Sequence, residues 1–105
     1  MAFVLEKKED MQNIYEMAKK VYDRQISADE AAALLAKKTE AKTSSLKMYF
    51  NIYAAMRKGK CYKLGTSAAF TEFLLNQIYL DFGEEVVITA LSAAKLHSEY
   101  RASVN

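Results

Sequence analysis

Proline is absent from the 105 residues, and glycine occurs only at Gly59, Gly65 and Gly83. Strand-rich folds need frequent tight turns, which draw on both residue types. Their scarcity argues against a β-sandwich or barrel and points to an all-α fold in which the glycines punctuate helices. Histidine and cysteine occur once each, at His97 and Cys61. A tetrahedral zinc site needs four such ligands, or three and a water, so no metal and no cofactor is expected. A single cysteine precludes an internal disulfide and suits a reducing cytoplasm. There is no glycine-rich phosphate loop and no Gly-x-Ser-x-Gly elbow. An enzyme would have to run on carboxylates, lysines or tyrosines alone, so the expectation is a non-enzymatic protein with no catalytic residues. No apolar run approaches the ~20 residues of a membrane span. The apolar opening Ala2-Phe3-Val4-Leu5 meets Glu6-Lys7-Lys8-Glu9-Asp10 at once and is too short for a secretory core. A soluble cytoplasmic chain with no membrane partner is expected.

What is present is a globular composition, 51% apolar and 27% charged. The length suits one domain over residues 1–105. A chain this short buries a modest share of its surface, which leaves a homodimer open as a source of stability.

Apolar periodicity predicts five helices in one compact domain. Met11, Ile14, Tyr15, Ala18, Val21 and Tyr22 form the stripe of a first helix, from near residue 7 to Arg24. Ser27-Ala28-Asp29-Glu30 is a capping box with Ile26 at the staple position. It opens a second helix at Ala28 that turns Ala31, Leu34 and Leu35 inward and fades around Lys37-Lys38-Thr39. Thr43 or Ser44 caps a third helix reaching Lys58, with Leu46, Tyr49, Phe50, Tyr53 and Met56 as its stripe and Gly59 as its stop. Thr66 or Ser67 caps a fourth, built on Phe70, Phe73, Leu74 and Ile78. Its apolar surface is widened by Leu75, Tyr79, Leu80 and Phe82. Gly83 ends it, and Glu84 and Glu85 open a fifth at the positive end of its dipole. There Val87, Ile88, Leu91, Ala94 and Tyr100 are expected inside, and Ala90, Ala93 and Ala94 permit close helix approach.

The net charge of +2 conceals a lopsided distribution. Residues 37–63 hold Lys37, Lys38, Lys42, Lys47, Arg57, Lys58, Lys60 and Lys63 against Glu40 alone, eight against one, or +7. The flanks are acidic, −2 over residues 1–36 and −3 over 64–105. A basic middle of this kind points to a polyanion, DNA first. Helices two and three also have the outline of a helix-turn-helix in the N-terminal half. In that geometry Thr43, Ser44, Lys47, Met48 and Asn51 would approach base edges and Ser45 the phosphates. The turn lacks the usual glycine and is a few residues too long.

Other candidates carry less. Tyr49, Phe50 and Tyr53 lie on the helix stripe and read as core, whereas Tyr62, in a basic loop, can contact a partner. Cys61 has Lys60 and Lys63 as neighbours but no histidine near it in sequence, so a nucleophilic role is not expected. His97, late in the fifth helix, reads as structural or solvent-exposed.

From Lys42 to Tyr100 the chain resembles a helical module at the N-terminus of bacterial and phage HNH-type restriction endonucleases. The similar stretches are Ser44-Ser45-Leu46-Lys47-Met48-Tyr49-Phe50-Asn51, Met56-Arg57-Lys58-Gly59-Lys60-Cys61-Tyr62-Lys63, Thr71 to Gly83 and Ala90 to Tyr100, with Ile26 to Leu35 also alike. In that family the metal-binding nuclease lies C-terminal to the module and is missing here, so the resemblance implies no cleavage. It implies an accessory role engaging DNA, with Lys47, Asn51, Arg57, Lys58, Lys60 and Lys63 as positions. A free-standing copy suggests an alternative, a phage or mobile-element inhibitor of anti-restriction or anti-CRISPR type. Its partner would be a bacterial nuclease or its nucleoprotein complex. A further alternative is a homodimerisation module whose broad apolar surface on the fourth and fifth helices is the functional part.

Overall fold

The computed structural model describes Leu5 and residues 7–104, so the opening Ala2-Phe3-Val4 and Glu6 lie outside the described residues. Among the described residues the fold is all-α, with five helices and no strand. They are α1 (Lys8–Tyr22), α2 (Ala28–Lys38), α3 (Thr43–Lys58), α4 (Ala68–Phe82) and α5 (Glu84–Val104). Two compact units divide the chain, Met1–Asn51 and Ile52–Asn105, and α3 runs through both.

In the first unit α1 packs against α2. Met11, Ile14, Tyr15 and Ala18 are buried, as their spacing requires, while Val21 and Tyr22 are half-buried. The helix stops at Tyr22, short of the expected Arg24, because Arg24 turns left-handed at φ +62°. The Arg24 amide donates to Val21 O (3.1 Å) and the Gln25 amide to Lys20 O (2.9 Å), the paired bonds of a Schellman ending. Gly59 closes α3 the same way at φ +67°, with Gly59 N donating to Met56 O and Lys60 N to Ala55 O. An arginine thus stands where α3 has glycine.

The α2 start is as read: Ser27 Oγ accepts from the Glu30 amide at 3.1 Å. Its inward face differs. Ala31, Ala32 and Leu35 are buried, whereas Leu34 is 47% exposed, because the seam follows the i, i+1, i+4 positions of two alanines and one leucine. In α3 the buried stripe Leu46, Tyr49, Phe50, Tyr53 and Met56 is as expected, with Ile52 added. Thr43 and Ser44 form its first residues rather than its cap.

In the second unit Ser67 caps α4, accepting from the Phe70 amide at 3.2 Å. Phe70, Phe73, Leu74 and Ile78 are buried. Gly83 is the whole connection to α5, at φ +90° and ψ −172°, a conformation essentially restricted to glycine. Its amide donates to Tyr79 O and its carbonyl accepts from Val87 N, so one residue serves both helices.

The helices α4 and α5 pack against each other, and α5 presents alanine there: Ala90 and Ala93 are fully buried. This realises the expected close approach but overturns the expected inward set. Ile88 and Leu91 are 54% and 48% exposed, and Val87, Ala94 and Tyr100 only half-buried. Small residues permit the approach, so the seam follows Val86, Ala90, Ala93, His97 and Tyr100 and the larger aliphatics turn outward.

Candidate nucleic-acid interface

The basic residues of 37–63 fall on two supports, one in each unit. In the first, Lys37 and Lys38 occupy the last turn of α2, where cations complement the helix dipole. The link Thr39–Lys42 is fixed from inside. Thr39 is buried; its Oγ1 donates to Leu35 O (2.9 Å) and accepts from the Ala41 amide (3.3 Å). Ala41 is buried too, leaving Lys38, Glu40 and Lys42 exposed around the turn. α3 opens directly afterwards, with no acid in its first turn.

Ser44 and Asn51 are exposed on α3, and Lys47 and Met48 half-buried; the i, i+3, i+4, i+7 spacing puts these four on one face. Lys47 is not free. Its ammonium forms an ion pair with Asp29, in the first turn of α2 and itself 82% exposed. Sequence reasoning missed Asp29, since nothing local couples it to a lysine in another helix.

In the second unit the cations follow Gly59. Lys58, Lys60 and Lys63 are exposed, and Lys63 Nζ lies 6.0 Å from the centroid of the Tyr100 ring. Arg57 is used internally: its guanidinium donates to Tyr53 Oη (2.8 Å) and sits 4.1 Å over the Phe82 ring, half-buried. It therefore anchors the end of α3 near the end of α4.

Tyr62 is placed otherwise than expected. It is buried at 8% exposure and stacked on the His97 imidazole, centroids 4.3 Å apart and planes within 13°, so its ring is engaged within the fold. His97 Nδ1 meets the Tyr62 carbonyl at 2.5 Å; a carbonyl only accepts, so Nδ1 carries the proton. Gly65 closes the other side. A Cβ there would fall 2.5 Å from His97 Nε2. Three contacts thus fix the 60–65 loop to α5 and display Lys60 and Lys63. Burial raises the Tyr62 phenol above its ordinary value, helped by the neighbouring Cys61, and burial alone raises Tyr49. Both are neutral at physiological pH. Cys61 is exposed, its Sγ 3.9 Å from Tyr62 O.

Lys37, Lys38, Lys42, Lys58 and Lys60 have no ion partner among the described residues. Among those residues no group of three or more His, Cys, Asp or Glu could hold a metal, and no helix is long and apolar enough to cross a membrane. Comparison with protein-family models, curated proteins and solved structures finds no match.

Proposed function

We propose that this chain is a small, non-enzymatic helical module that binds DNA through lysine–phosphate contacts. The observation that carries this reading is the set of exposed lysines on two locally fixed turns, Lys37, Lys38 and Lys42 on one and Lys58, Lys60 and Lys63 on the other, with Glu40 the one acid in the segment. Held supports lower the cost of ordering long side chains on a polyanion. With Lys47 paired, Arg57 anchored and Tyr62 stacked, the groups left for base edges are few, chiefly Ser44 and Asn51. Phosphate contact rather than sequence readout is therefore the principal term.

Salt titration of duplex binding tests this. Three phosphates neutralised give a slope of log K against log salt near −3, and six give roughly −5. The charge reversals Lys37→Glu/Lys38→Glu/Lys42→Glu and Lys58→Glu/Lys60→Glu/Lys63→Glu assign the slope to one support or both. Asp29→Asn, which releases Lys47, strengthens binding where the start of α3 touches DNA. A slope near zero, or binding indifferent to both triple reversals, defeats the proposal.

A second reading, an inhibitor that covers a bacterial defence nuclease, draws on Tyr79, Leu80 and Phe82, exposed at the end of α4 and unused by DNA contact. A protein partner retained after nuclease digestion of the lysate selects it.

A further inference from the structure

On the outer side of α5, Glu84, Ile88, Leu91 and Lys95 recur at i, i+4, i+7 and i+11, which keeps them on one stripe. All four are exposed, on the side away from the buried Ala90 and Ala93. Neither Glu84 nor Lys95 has an ion partner among the described residues. The order of the stripe, acid, two aliphatics, base, is complementary to itself when reversed. About a two-fold axis level with the Thr89–Ala90 peptide, antiparallel copies set Ile88 against Leu91 of the second copy and Glu84 against its Lys95. Symmetry makes each contact occur twice. Parallel copies would set acid against acid and base against base.

We propose that α5 docks antiparallel on α5 of a second copy of this chain, giving a reversible homodimer with an Ile88/Leu91 centre closed by Glu84–Lys95 pairs. With two large apolar side chains per copy at its centre, the contact is a small one and the association weak. It stands independently of DNA binding and doubles the lysine supports available to one duplex.

Sedimentation equilibrium of the full chain tests this, with helix content followed by circular dichroism. The unmodified chain shows a monomer–dimer equilibrium below about 1 mM that weakens with added salt. Glu84→Lys and Lys95→Glu each set like charges opposite one another at both ends and raise the dissociation constant about tenfold. An equimolar mixture of these two variants restores association, since one stripe then carries two positive charges and the other two negative. Three results would overturn the proposal: a monomer throughout the range, a dimer indifferent to either single change, or weakened variants that fail to associate when mixed.

Discussion

Replacing Gly65 by alanine attacks the clamp that holds the basic loop to α5. The new Cβ falls 2.5 Å from His97 Nε2 and 3.0 Å from Cε1, well inside contact distance, so the imidazole must move. Moving it disturbs the stack on Tyr62 and the bond from Nδ1 to the Tyr62 carbonyl. The stack contributes about 0.5–1.5 kcal/mol and the hydrogen bond about as much. Losing both entirely would cost about 2 kcal/mol. Relief by partial rotation keeps some of each, so the expected cost of Gly65→Ala is about 1–1.5 kcal/mol, or roughly 5–10 °C in Tm for a domain of this size. Backbone geometry adds nothing, because the Gly65 φ lies outside the left-handed range. His97→Ala removes the obstruction, and in that background Gly65→Ala becomes neutral or slightly stabilising through the unfolded chain. Urea unfolding of the four proteins gives the coupling energy. Additivity within about 0.5 kcal/mol refutes the clamp.

Two further expectations follow from the ends of helices and from buried phenols. Arg24→Gly relieves a left-handed arginine in the Schellman ending of α1 and raises stability by about 0.5–1 kcal/mol after the entropy lost to a more flexible unfolded chain. A urea midpoint that stays or falls counts against that account. Tyr49 and Tyr62 have folded pKa values raised above the ordinary value by burial, which favours the neutral phenol. Their contribution is full below about pH 10 and is lost as pH rises through the folded values. Tyrosinate absorbance therefore shows late ionisation, together with urea stability falling above pH 10; early ionisation of every tyrosine contradicts it.

The parts of the fold legible in the sequence are those where large apolar residues set the period. The α3 stripe from Leu46 to Met56 and the α4 stripe from Phe70 to Ile78 are buried as read, and Ser27 and Ser67 cap where hydroxyls precede helices. Sequence reading fails where packing is made by alanine. Hydropathy ranks Ile88 and Leu91 above Ala90 and Ala93, yet close approach of α4 selects the smaller pair, and Leu34 yields to Ala31 and Ala32 for the same reason. The site divides similarly. The lysines are plain from composition, but what withdraws other candidates is non-local: Asp29 holds Lys47 from another helix, and the imidazole stacked on Tyr62 lies 35 residues further on.

The single-residue joint at Gly83 bears on how the chain acquires its shape. α4 and α5 meet with almost no intervening segment, so bringing them together closes nearly no loop and costs little chain entropy. Proteins whose contacts join near neighbours in sequence fold faster than those whose contacts join distant stretches. α4 and α5 are thus a pair of low contact order, and the end of their seam nearest Gly83, at Val86 and Ala90, is the part that costs least chain entropy to close.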